Sequence, residues 1–329
     1  MIGCAVLVTA AMALWFVSAQ AIRGIVTEWL AARAEEGWLV SYDEVSVEGF
    51  PTAFRTELAA LELADPETGW VWTLPRMTLE QQVFRPARVR AVWPAEQGLA
   101  SPYDRLTIRS ETMVSDLDLQ PASLYALDLS DTVLGEVTVE SGRGWTMTLP
   151  EGRLTMMRLP DAAAAYDVSF RATGLVPPAP LQAQLDPGGL LPRAVSTLEY
   201  DATMTFDRPC EFRAIGERRP QVTALDLREM QAVWGGLVLN ATGELTVGPG
   251  GVPDGVVSIR AENWREMVTL AVNAGLLTER MRGTAEGLLG VVAGLSGDPE
   301  VIDADLAFEN GRAYLGPLPV GPAPRLVLR

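Results

Sequence analysis

The spacing of apolar and polar positions changes period along this chain. Residues 2–22, IGCAVLVTAAMALWFVSAQAI, carry no charge. As a helix rising about 1.5 Å per residue, that run covers roughly 30 Å, the thickness of a bilayer's hydrocarbon core. Leu7, Leu14, Trp15 and Phe16 are the side chains that would hold it there. The helical period then continues. Ile22, Ile25, Val26, Trp29 and Leu30 follow i, i+3, i+4, i+7, i+8 spacing, while Arg23, Thr27, Glu28 and Arg33 face elsewhere. The pattern predicts one helix, a transmembrane anchor over 1–22 running on as an amphipathic helix over 23–36. The competing reading is a cleaved signal peptide, because Ala19-Gln20-Ala21 has the small-x-small shape of a cleavage site. The unbroken period across that site favours the anchor.

After Gly37-Trp38 the period becomes two. Tyr166, Val168, Phe170 and Ala172 interleave with Asp167, Ser169, Arg171 and Thr173; Leu198, Tyr200, Ala202, Met204 and Phe206 alternate likewise, as do Ile302, Ala304, Leu306 and Phe308. Weaker alternation covers 103–119, 125–140 and 237–261. Strict alternation marks antiparallel strands with one wet face, and Asn310-Gly311 between apolar runs predicts a two-residue hairpin turn. The fold class is mainly β with α (α+β): curved antiparallel sheets with hairpins, an N-terminal membrane helix, and a helical pair in the C-terminal half.

A Pro/Gly-rich stretch divides a β-rich region over 37–175 from a second over 194–329. Residues 176–193 read either as a linker or as a surface loop within one continuous sheet. Helices are expected over about 264–295. Asn263 and Glu266 suit an N-cap and its N3 partner, followed by an apolar stripe of Trp264, Met267, Val268, Ala271 and Val272 that Gly275 should break. Next, Gly283, Gly287, Gly290 and Gly294 fall on one helical face. Each glycine costs about 1 kcal/mol against alanine in a helix. That cost predicts a face on which a neighbouring backbone packs closely; the other reading is a loose lid.

One motif occurs twice: GWVWTLP at 69–75 and GWTMTLP at 144–150. Trp70, Trp72 and Leu74 share one strand face, and Trp145, Met147 and Leu149 share the equivalent one. These six are either core, covered by the 22–36 or 264–295 helices, or an open apolar groove able to hold an acyl chain.

Composition narrows the chemistry. The formal net charge is −16, which excludes a nucleic-acid surface. The chain has no histidine and no lysine. It therefore lacks a Ser–His–Asp device, a Schiff-base lysine and a histidine zinc ligand. Cys4 and Cys210 are too isolated to form a disulfide framework. Three acidic pairs, Asp116/Asp118, Asp128/Asp131 and Asp303/Asp305, lie where a solvated strand face is predicted, not in the contrasting environments that acid–base work needs. Arg85, Arg88 and Arg90 offer cation for an anionic headgroup or, more simply, for a wet surface. No catalytic residue, metal ligand or cofactor site is expected, and the chain reads as a non-enzyme.

Three stretches together carry a likeness: Gly37-Trp38 with Val47-Glu48-Gly49-Phe50-Pro51 just after the apolar helix, WGGLVLNATGELTVGPGG at 234–251, and FENGRAYLGPLPVGPAPRL at 308–326. The combination resembles an uncharacterised alphaproteobacterial envelope family, domain of unknown function 2125, which is distantly similar to AsmA-like proteins. The resemblance implies an inner-membrane protein with a single N-terminal pass and its bulk in the periplasm; with a cleaved leader it would be soluble and periplasmic. It further implies lipid handling or help with outer-membrane assembly, with lipid acyl chains or envelope proteins as partners. The alternative is an adaptor that binds protein partners through sheet edges.

Overall fold

A computed structural model describes residues 2–120, 126–162, 164–210, 220–316 and 318–327. Eighteen strands and four helices make up these residues, and the strand pairs within each of the two compact units are antiparallel. The first unit is Met1–Gly144 with Cys210–Arg218; the second is Trp145–Pro209 with Arg219–Arg329. The division falls inside the second copy of the tryptophan motif, not at 176–193. That Pro/Gly-rich stretch instead joins two neighbouring, paired strands of the second unit.

Helix α1 (Ile2–Glu35) opens the first unit as the expected single helix of 34 residues. Strands β1 (Leu39–Ser41) and β2 (Glu44–Glu48) follow one another along β3 (Ala53–Asp65), which pairs with β4 (Trp70–Gln82). Beyond β4 lie β5 (Arg85–Val92) and β6 (Glu96–Ala100), then β8 (Thr112–Gln120) and β7 (Arg105–Arg109), and last the long β9 (Ala126–Ser141). The C-terminal half of α1 covers this sheet. Leu30 is buried with Leu58, Leu61, Leu63, Leu74 and Met77, and Val26 and Trp29 pack at its sides. The buried stripe differs from the expected one by a few tens of degrees of helix rotation. Ile25 is exposed, whereas Arg33 is buried, its guanidinium over the Trp29 ring and paired with Glu36 at 2.8 Å. A long arginine stem can lie on an apolar face when its charge finds a partner.

A line of ladder interruptions crosses this sheet. Pro75 of β4 has no N–H to donate, and opposite it Ala60 of β3 takes the left-handed conformation (φ 51°). The same line breaks the next strand at Trp93-Pro94-Ala95, between β5 and β6. It continues at Ser110, whose N–H donates to Ala95 O, and ends at Glu136 of β9 (φ 48°). Interruptions of this kind bend strands and increase their twist.

The second unit is a meander in sequence order: β10 (Thr146–Arg158), β11 (Ala165–Leu175), β12 (Val195–Phe206), β13 (Val222–Trp234), β14 (Leu237–Gly248), β15 (Val252–Glu262), β16 (Val301–Glu309), β17 (Arg312–Leu315) and β18 (Leu318–Pro322). Pro150 of β10 again faces a left-handed residue, Gly174 of β11 (φ 72°). Asn310 and Gly311 both have positive φ and form the expected turn. Short helix α2 (Ala179–Leu185) lies between β11 and β12. Helices α3 (Trp264–Asn273) and α4 (Glu279–Ser296) fill the β15–β16 connection. Their apolar faces bury Trp264, Val268 and Ala293 against Ala261 and Ile302. Gly275 ends α3 as expected, but Asn263 does not cap it: its backbone is left-handed and its amide donates to Gly236 O.

Candidate functional site

The feature with most chemical character is the junction of α1 with two hairpin turns of the first unit. Residues 9–14 of α1 are exposed; at Trp15 the helix meets protein. Trp15 and Ala19 are buried together with Phe54, and Ile22, Val47 and Val83 pack around them. The Trp15 indole N–H donates to Ala53 O at 3.1 Å, and its ring stacks on Phe54 with centroids 5.5 Å apart. Phe50, in the turn between β2 and β3, meets Trp15 edge-on at 5.6 Å and stacks with Phe16 at 6.4 Å. Val83 N–H donates to Thr52 O and ties the β4–β5 turn to the same place. Of the four expected anchor residues, Trp15 is thus packed into the unit, Leu14 and Phe16 project outward, and the Leu7 side chain lies outside the described residues.

The tryptophan repeat does not line an open groove in the first unit. Leu74 is 2% exposed within the cluster that α1 covers, and Trp72 packs against that cluster. Trp72 stacks on Trp93 at 5.4 Å and donates its indole N–H to Gln97 Oε1; Trp93 donates to Ser115 Oγ, which shares a hydrogen bond with Thr132 Oγ1. Trp70 is exposed at the strand's start. The covered-core reading therefore holds here: the 22–36 segment is the cover. In the second unit Leu149 is buried while Trp145 and Met147 are half-buried.

Three of the six acidic candidates, Asp116, Asp118 and Asp303, are partners of arginine. Arg90 chelates Asp116 with two 2.8 Å hydrogen bonds, Arg88 meets Asp118 at 3.1 Å, and Arg260 reaches Asp303 at 3.7 Å. The hydrogen bond from Arg90 holds the Asp116 carboxyl below the usual range for aspartate. Asp128 accepts from Gln120 and Asp305 from Ser258. On the second unit Arg228, in a bulge of β13, bridges Asp167, Asp201 and Thr203. Among the described residues no group of three or more cysteines and acids is arranged to hold a metal ion.

The glycine face of α4 also differs from expectation. A Cβ built at Gly283, Gly287, Gly290 or Gly294 meets nothing within 4 Å beyond the helix's own backbone. The helix packs instead through Ala293, Leu289 and Val292, on another face. The close backbone approach is absent, so the glycines recover none of their cost in helix propensity.

These features define a mainly antiparallel β protein whose apolar N-terminal helix is built into its first unit, the only helix among the described residues long and apolar enough to cross a membrane. The chain belongs to the family described as an uncharacterized protein conserved in bacteria (DUF2125), whose profile matches residues 15–324. Comparison with curated proteins and with solved structures finds no match.

Proposed function

We propose that this chain is a non-catalytic protein of the bacterial envelope, held in the inner membrane by an uncleaved α1 with its bulk on the periplasmic side. One observation carries the reading: Trp15 and Ala19 form the apolar cluster with Phe54. Cleavage after Ala21 would remove both and leave only Ile22 of the helix beside Phe54, Val47 and Val83. A disposable leader has no reason to complete a folded domain. The family match also begins at Trp15, the residue where the helix meets the hairpins. Non-catalysis is supported by the arginine partners of the acidic residues and by the lack of histidine and lysine.

In this reading the protein presents β-sheet at the membrane surface and assists outer-membrane assembly, as the family resemblance implies. The adaptor alternative, strand addition at a sheet edge, has less support. The last described strand carries Pro319 and Pro322, which cannot donate to an added strand. Intact mass of the protein extracted from membranes tests the proposal. The full chain is expected; a mature form starting at Ile22 would overturn it.

A further inference from the structure

We infer that the two hairpin turns beside α1 form a second membrane contact, an aromatic tip that seats the first unit in the lipid interface. This rests on the anchor reading above. Three rings on these turns and the facing stretch of α1 are largely exposed: Phe84 is 88% exposed, Phe16 56% and Phe50 43%. Exposure of that size is costly in water, at about 25 cal/mol for each Å² of apolar surface left uncovered. Phenylalanine on the apolar face of a membrane-surface element is buried at the headgroup–acyl boundary, where such surface is covered.

The level of these rings along α1 identifies the covering medium. Phe50 stacks on Phe16, and Val83, next to Phe84, packs on the Trp15–Ala19 turn. The first charge on the helix is Arg23. Phe16 lies seven residues before it, about 10 Å deeper along the helix axis. The turns therefore meet α1 where the helix is still wholly uncharged. A bilayer that accommodates residues 2–22 has to reach the turns as well.

The charges around the tip suit that placement. Neither turn, Gly49-Phe50-Pro51-Thr52 or Val83-Phe84, contains an acid, and Glu48, which precedes the first, stands opposite Arg55 in the ladder. Glu80, the acid nearest the second turn, is paired with Arg55 at 3.1 Å. Arg85 follows Phe84 directly, has no ion pair among the described residues, and can extend its stem from the apolar layer to the headgroups. Arg88 and Arg90, by contrast, are held by Asp118 and Asp116.

The test uses the full chain in a Cys4→Ser, Cys210→Ser background, with one cysteine introduced and labelled with nitrobenzoxadiazole. Three sites are compared: Phe84→Cys at the tip, Leu14→Cys on the anchor, and Tyr103→Cys. Tyr103 follows Pro102, which touches Gly69 at the opposite end of β3 and β4. The protein is reconstituted in vesicles of phosphatidylethanolamine and phosphatidylglycerol, with and without brominated acyl chains. The labels at 84 and 14 should be blue-shifted and lose most of their emission to brominated lipid, while the label at 103 should not. If 84 behaves like 103 while 14 is quenched, the tip contact is wrong and the anchor stands. Should 14 also stay unquenched, the anchor reading fails, and the tip contact with it.

Discussion

At the scale of single residues, burial decides more than chemistry does. Thr56 of β3 is 1% exposed, and its hydroxyl meets no hydrogen-bond partner among the described residues. Thr56→Val keeps the volume and removes a desolvated polar group, so it should stabilise the protein by about 1 kcal/mol in denaturant titration. Leu74→Ala should cost about 2–4 kcal/mol, as deletion from a closed core does; an open groove wall would lose far less. Tyr200 supplies a pH test. Burial, followed by the charge of Asp201, raises its phenol from the usual 10.0 to about 12. Below pH 10 the folded and unfolded chains both hold the proton. Between about 10 and 12 only the folded chain holds it, so release on unfolding lowers stability as pH rises, by at most about 1.4 kcal/mol per pH unit. No lysine titrates in that window. Tyr200→Phe should make the alkaline fall in melting temperature shallower.

At the scale of elements, the glycine face of α4 reverses an expectation about sign. With open space at Gly290, Gly290→Ala should raise stability by roughly 0.5–1 kcal/mol through helix propensity alone. A drop in melting temperature would restore the packed-face picture. The ladder interruptions offer a matched pair. Ala60 and Gly174 both sit opposite the proline that closes a copy of the repeat, and both are left-handed. Gly174→Ala should therefore destabilise by about 1 kcal/mol or more, and Ala60→Gly should be neutral to stabilising.

What the repeat does is thus only half legible in the sequence. Alternation placed Trp72 and Leu74 on one face, and proline marked the end of clean pairing. That Pro75 faces Ala60, and that Trp72 finds Gln97, depends on registers set by residues 15 and 25 positions away. No local pattern encodes those distances. Arg33 was hidden for another reason: a cation on the buried stripe breaks the very pattern by which the stripe is read. The glycine stripe misled because spacing shows which residues share a face, not whether anything approaches that face.

At the scale of the whole chain, the long periods were the readable part: one apolar helix continuing as an amphipathic one, strands throughout, and paired helices late in the chain. The unit boundary was not, because Pro/Gly content marks a long connection equally well between domains or between adjacent strands, as 176–194 does here. The central claim is that α1 is a structural member of the first unit. A double-mutant cycle on Trp15 and Phe54 in the detergent-solubilised full chain tests it most directly. The stacked rings predict a coupling energy of about 1 kcal/mol between Trp15→Ala and Phe54→Ala. Additive effects, with no coupling beyond about 0.3 kcal/mol, would mean that the helix merely passes the sheet and would contradict the account.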